Sequence, residues 1–160
     1  VHALATQPDL APLIRKLKSA PAHRVLIFPP WGAEYQLKHS SLQEQLAHEW
    51  VDAGADSVIG AHPHVIQDAE VYKNRPIFYS LGNLLFDQTL SQATQQGLIV
   101  AGEFTNDGAR LFALPVQSKK LKPALIRGEA KTKILDSLYE SMGSFIKTES
   151  SGRFVDIHNN

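Results

Sequence analysis

His62 and His64 stand one residue apart in Val58-Ile59-Gly60-Ala61-His62-Pro63-His64-Val65, directly after a short apolar run. A neutral imidazole is the commonest metal ligand and binds through either ring nitrogen. Two imidazoles spaced this way in an irregular turn can reach one ion or two adjacent ones. Pro63 fixes its own φ and disfavours the α region for the residue before it, so an extended His62 is expected. Gly60 is expected to let the chain turn sharply at the end of the strand. Taken alone, the pair reads as two turn histidines hydrogen-bonded to backbone. Two nitrogens are also too few, because a closed zinc site takes about four protein ligands and a catalytic one about three. Glu34, Glu70, Asp87, Asn83 and His39 are the further donors on nearby segments. Spacing does not select among them.

The elements that must position this turn follow from periodicity. After Asp9, the stripe Leu10, Leu13, Ile14 and Leu17 predicts an amphipathic helix that stops before Pro21. Residues 24–28 (RVLIF) form a short run of β-formers closed by Pro29-Pro30, which reads as a buried strand. Ser41 and Glu44 have the spacing of a capping box, with Leu42, Leu46, Trp50 and Ala53 on the inner face and Gly54 as the stop. Residues 56–60 predict the next strand, so strand, helix and strand make a βαβ-like unit. Ligands of open α/β sheets bind beyond the carboxyl ends of the strands, and Pro30-Trp31-Gly32 and His62-Pro63-His64 both fall there. Runs at 68–72, 76–81, 98–104 and 110–114, separated by turn residues, predict a largely antiparallel half. The polar, glutamine-rich 88–96 reads as a mobile loop. Ile134, Leu135, Leu138, Met142, Phe145 and Ile146 predict a C-terminal amphipathic helix, and 148–160 a frayed tail. The expected fold class is therefore layered α/β, with a βαβ half and an antiparallel half over residues 1–125 and a helix with its tail over 126–160.

Composition narrows the function classes. The 160 residues suffice for one domain with a real core, and 43% hydrophobic with 20% charged residues is ordinary for a globular protein. Sixteen basic and sixteen acidic residues cancel, so no overall field attracts nucleic acid or an anionic membrane, and no nucleic-acid partner is expected. Without cysteine there is no disulfide and no thiolate metal site. The sequence begins Val-His-Ala without Met, as expected of a piece of a longer polypeptide.

Three stretches occur in order: Trp31-Gly32-Ala33-Glu34-Tyr35, then Gly54-Ala55-Asp56-Ser57-Val58-Ile59-Gly60-Ala61-His62-Pro63-His64, then Tyr79-Ser80-Leu81-Gly82-Asn83-Leu84-Leu85-Phe86-Asp87. Together they resemble the CapA-type proteins of bacterial poly-γ-glutamate capsule synthesis, a branch of the calcineurin-like metallophosphoesterase superfamily. The resemblance implies a metallophosphoesterase-like fold, of which this chain holds the carboxyl-terminal half. It implies two divalent ions (Mn, Fe or Zn) about 3.5–4 Å apart with a bridging water, His62 serving one ion and His64 the other. Glu34 falls where the family carries an acidic residue after Trp-Gly, a place for catalytic support or for orienting substrate; the bland alternative is a solvated loop glutamate. Trp31 and Asn83 are candidate substrate-binding residues, with core packing and turn satisfaction as their alternatives. Implied partners are the capsule polymer synthase components, poly-γ-glutamate or a related polymer, and the missing amino-terminal half. The implied setting is extracytoplasmic and membrane-associated. Two departures stand out. Pro30 occupies the place of a metal-ligating histidine in the family's His-Trp-Gly, and proline offers no donor atom. The metal motifs of the superfamily's amino-terminal half, Asp-x-His, Gly-Asp and Asn-His, do not occur ahead of Trp31, where the family carries them. Two functions from different classes follow: a metal-dependent hydrolase or transferase, or a non-catalytic binding or assembly subunit with a degraded site. A metal-free carbohydrate- or peptide-binding domain is a third, weaker possibility.

Overall fold

The computed structural model describes residues 9–20, 24–105, 107–149 and 152–158. Their elements are α1 (Ala11–Lys18), β1 (Leu26–Ile27), α2 (Ser41–Asp52), β2 (Ser57–Ile59), β3 (Ala69–Tyr72), β4 (Arg75–Phe78), β5 (Gln96–Phe104), β6 (Gly108–Lys119), β7 (Lys122–Leu125), α3 (Gly128–Tyr139), β8 (Ile146–Glu149) and β9 (Gly152–His158). One sheet has the order β1-β2-β4-β3, with β1, β2 and β4 parallel and β3 antiparallel at its edge. The other is antiparallel, in the order β5-β6-β9-β8, with β7 pairing onto β6.

Successive strand side chains point to opposite faces, and in the first sheet both faces are covered. Val58 and Ile77, partners of neighbouring strands in the ladder, face a core built with Ile14 of α1 and Ala47, Trp50 and Val51 of α2. Ile59 and Phe78, one step along, face a second core with Leu98, Leu111, Leu135, Leu138, Val155 and Ile157. Double burial is why β2 reads as an unbroken apolar run rather than an alternating one. The result is a layered α/β structure, as the sequence predicts. Among the described residues, no helix is long and apolar enough to cross a membrane.

Several expectations shift. β4 joins β2 in parallel, so the β3–β4 hairpin belongs to the βαβ sheet, and the antiparallel half begins only at β5. The cap of α2 is Ser40, not Ser41: the Gln43 backbone N–H donates to Ser40 Oγ at 3.3 Å, and the Ser40 N–H donates to Gln43 Oε1 at 3.0 Å. The buried face is accordingly Gln43, Ala47, Trp50 and Val51, and Leu42 is 41% exposed. Gln43 tolerates burial because its amide donates to Gln67 Oε1 (3.0 Å), whose own amide donates to the Gln36 and Lys38 carbonyls; buried polar groups persist when fully bonded. In α1 only Ala11 and Ile14 are buried, and Leu13 and Leu17 face outward. The C-terminal helix stops at Tyr139, and the expected frayed tail is the hairpin β8–β9, with Phe154, Val155 and Ile157 buried.

Asp56, 1% exposed, ties the first sheet to α1. Its carboxylate accepts from the Val25 N–H (2.8 Å), Lys18 Nζ (2.9 Å) and Arg24 Nη1 (3.2 Å), and Arg75 Nη2 lies 4.0 Å away. Burial by itself would raise the Asp56 pKa; the Val25 N–H and the charges of Lys18 and Arg75 outweigh it and hold the carboxyl below its ordinary value. A depressed folded pKa contributes stability that is present above the unfolded value of about 4 and is lost as pH falls through the folded one. Asp56→Asn is therefore expected to flatten the acid limb of a urea-derived stability–pH curve. An unchanged acid limb would exclude Asp56 as a determinant of acid stability.

Candidate functional site

The three parallel strands β1, β2 and β4 deliver the three sequence motifs to one edge. Pro30 and Ala61 form a parallel bridge just past β1 and β2: Trp31 N–H donates to the Ala61 carbonyl and Ala61 N–H to the Pro29 carbonyl, each at 3.0 Å. The Tyr35 N–H then donates to the Pro63 carbonyl at 2.8 Å, fastening the Trp-Gly loop to the histidine turn. The Asn83 side chain, arriving from β4, meets His64: Asn83 Oδ1 and His64 Nδ1 are 3.0 Å apart. Ligand sites of parallel sheets lie at such strand ends.

The turn departs from its expected backbone. His62 has φ 99° and His64 φ 60°, so neither is extended. Proline constrains the residue before it chiefly by excluding the right-handed helical region, and here the hydrogen bonds through Ala61 and Pro63 carry His62 to positive φ instead. Such conformations cost on the order of 1–3 kcal/mol each and persist where surrounding bonds over-determine them. Both imidazoles are half-buried, with ring centroids 6.0 Å apart. Tyr35 and Phe86 flank the His64 ring at 6.2 and 5.2 Å.

Gly60 has a different role from the one expected. Its φ is not positive; instead, a Cβ there would lie 2.1 Å from the Tyr79 carbonyl oxygen and 2.2 Å from Trp31 Nε1. Bare backbone lets the Trp31 indole pass over β2 and donate to the Tyr79 carbonyl at 2.8 Å. Trp31 is fully buried, stacked on Trp50 (5.4 Å) and Tyr79 (5.9 Å). Its ring is thus a core group beneath the site, not a wall open to substrate.

The other expected donors divide. Asn83 is buried and faces His64. Glu34 is exposed beside Tyr35; partial desolvation and then the Glu34 carboxylate push the Tyr35 hydroxyl above its ordinary pKa, keeping it a protonated donor. Asp87 is exposed on the loop that carries Asn83. Glu70 and His39 belong elsewhere. Glu70 accepts from the Tyr79 hydroxyl and contacts His48 Nε2 (2.8 Å), and burial, then this carboxylate, drives the Tyr79 pKa far up. His39 stacks on Tyr79 (3.8 Å) and bonds Asp68 (3.0 Å). His39 and His48 are part-buried structural groups; His158 is exposed, and His2 and His23 lie outside the described residues. The Asp-x-His formed by Asp156-Ile157-His158 belongs to β9, away from the motif loops. Among the described residues no three His, Asp or Glu side chains cluster closely enough to hold an ion. His62 and His64 are two imidazoles of a type that can ligate a metal, and among the described residues no third His, Asp or Glu joins them.

Sequence reasoning passed over Gln88. Its Nε2 donates to the Tyr35 hydroxyl (2.8 Å), and its Oε1 accepts from Asn83 Nδ2 (3.3 Å). Its signal was its place, one residue past the Gly82-to-Asp87 motif. The glutamine-rich segment is anchored rather than loose: Thr94 is buried, and Ser91 and Thr94 bond each other reciprocally.

The profile of the family described as bacterial capsule synthesis protein PGA_cap matches residues 2–88, just over half of the chain and all three motif loops. The chain belongs to this family. Among its relatives, the chain is 38% identical over 127 residues to the capsule biosynthesis protein CapA of Bacillus anthracis, covering 76% of this chain and 30% of that protein. It is 34% identical over 128 residues to the PGA biosynthesis protein CapA of Bacillus subtilis (strain 168), covering 79% and 33%. The chain thus spans about a third of the length of these relatives. Its matched region contains Trp31, Glu34, His62, His64 and Asn83.

Proposed function

We propose that this chain is the part of a capsule-polymer biosynthesis protein that contributes His62 and His64 to a divalent-metal centre, with the remaining ligands supplied from outside the described residues. The observation that carries the reading is the convergence of the three motif loops at the ends of β1, β2 and β4, with the histidine turn fixed there by backbone bonds and the His64 ring by Asn83. Mn, Fe or Zn suits imidazole with oxygen donors, and such an ion would supply Lewis acidity for hydrolysis or transfer at a phosphoester or γ-glutamyl amide. In this chain backbone bonds hold the histidine turn, Tyr35 and Phe86 flank the His64 ring, and exposed Glu34 beside Tyr35 is the candidate to orient substrate. The natural partners of such a protein are poly-γ-glutamate or a related polymer and the synthase components, in an extracytoplasmic, membrane-associated setting.

A second reading, a non-catalytic assembly subunit, is favoured by one observation. Pro30 sits bridged to Ala61, next to the histidine turn, with no donor atom to offer. Metal content of the full-length polypeptide decides between them. Stoichiometric metal that falls at least tenfold in His62→Ala and His64→Ala, together with phosphodiesterase or γ-glutamyl hydrolase activity, is the expected result. A folded full-length protein without metal, still capturing polymer or synthase components, would establish the assembly reading. Pro30→His is expected to raise metal affinity if a ligand has been lost there.

A further inference from the structure

The hydrogen bonds around His64 run in one direction, and that direction is set by a group that cannot be reversed. The Thr94 backbone carbonyl accepts and never donates. Asn83 meets it at 2.9 Å, so the group facing Thr94 is the Asn83 NH2. The same NH2 reaches Gln88 Oε1 at 3.3 Å, and the Gln88 NH2 reaches the Tyr35 hydroxyl at 2.8 Å. With its nitrogen committed to Thr94 and Gln88, Asn83 presents its carbonyl oxygen to His64. An oxygen acceptor 3.0 Å from His64 Nδ1 requires that Nδ1 carry the proton. In the neutral ring Nε2 is then the lone-pair nitrogen, and among the described residues it has no hydrogen-bond partner.

The anchor is rigid for stated reasons. Asn83 is 7% exposed, and its N–H donates to the Gln96 carbonyl at 3.0 Å. Gly97 permits the approach, since a Cβ there would lie 2.4 Å from the Asn83 carbonyl oxygen. Thr94 is held in turn by Ser91.

We propose that Asn83 is a positioning residue that locks His64 in the Nδ1–H tautomer and presents Nε2 outward, with Gln88 coupling that lock to Tyr35 of the neighbouring loop. The proposal reassigns Asn83 from substrate contact to orientation. It also makes the glutamine-rich segment 88–96 part of the site. A histidine side chain in water favours the opposite tautomer, so the assignment is not the default. The use made of Nε2 rests on the metal-centre reading above; the tautomer itself does not.

The test is long-range proton–nitrogen correlation NMR on metal-free, histidine-labelled protein, at a pH where imidazole is neutral. His64 is expected to show a protonated Nδ1 and an unprotonated Nε2. Asn83→Ala should shift the population towards Nε2–H, and Asn83→Asp, which keeps an acceptor, should restore Nδ1–H. Gln88→Ala should keep Nδ1–H, because Thr94 still orients Asn83, while changing the Tyr35 ring shifts. In the full-length protein, Asn83→Ala should weaken zinc binding about 10–100-fold, the usual cost of losing a partner behind a ligating histidine. A wild-type His64 in the Nε2–H form, or an Asn83→Ala protein still wholly Nδ1–H, overturns the proposal. The wild-type spectrum decides it even if a variant fails to fold. The expected tautomer with no zinc bound by the full-length protein would uphold the positioning role and remove the metal-centre reading alone.

Discussion

A chain cut after Phe145, lacking the β8–β9 hairpin, is expected not to hold its native structure. β9 pairs with β6 from Gly108↔His158 to Leu111↔Val155, and with β8 on its other side, so it is an interior strand of the second sheet. Val155 and Ile157 are buried in the core that also holds Ile59 and Phe78 of the first sheet. Phe154 is 1% exposed, its ring 5.1 Å from Phe112 and covered by the Arg110 guanidinium. Full burial of each such side chain is worth about 1.5–3 kcal/mol. Three of them approach the whole net stability of a typical domain, roughly 5–15 kcal/mol. The truncated chain should lose its cooperative urea transition and its near-ultraviolet circular dichroism. Phe154→Ala alone should cost about 3–5 kcal/mol. A truncated chain with a wild-type transition midpoint would show that β9 is dispensable.

Gly60→Ala should act on the fold and the site together. The added methyl would stand 2.1 Å from the Tyr79 carbonyl oxygen and 2.2 Å from Trp31 Nε1, and both are held in place, one by the β4 backbone and one by a buried stack. Relief requires Trp31 to leave its hydrogen bond with Tyr79 or β2 to part from β4. Overpacking costs about 1–3 kcal/mol, and a buried donor left unpaired costs about 1–3 more. The sum predicts a fall in Tm of roughly 10 °C for a chain of this size. Trp31 also begins the loop that Ala61 and Tyr35 bind to the histidine turn, so the His64 and Tyr35 resonances should shift as well. A Gly60→Ala protein with wild-type Tm and spectra would remove this account of the glycine.

The sequence alone determined the helices near 11–18 and 41–52, the βαβ crossover and the placing of His62 and His64 beyond a strand, because each rests on local chemistry. An apolar period, a capping side chain or a proline stop acts within a few residues, and composition records it. The three motif stretches likewise marked the loops that meet at one edge.

Pairings between distant residues are set only once the chain folds. That β4 lies parallel to β2 depends on which edge accepts it, and a four-residue run carries no mark of that choice. The segment 148–160 is short, opens Thr-Glu-Ser-Ser-Gly and reads as a tail; pairing with β6 makes 152–158 a strand and buries Phe154, Val155 and Ile157. Ser40 displaces Ser41 as the cap because Gln43 finds Gln67 across the core. Trp31, Gly60 and Tyr79 are far apart in sequence, and the steric need for glycine exists only once the indole crosses β2. The direction of the His64 hydrogen bond is decided by the Thr94 carbonyl thirty residues away. Residue types announced two candidate ligands on one turn; the ladder of β1, β2 and β4 brought the motif loops together, and a backbone carbonyl on another loop set which nitrogen His64 offers.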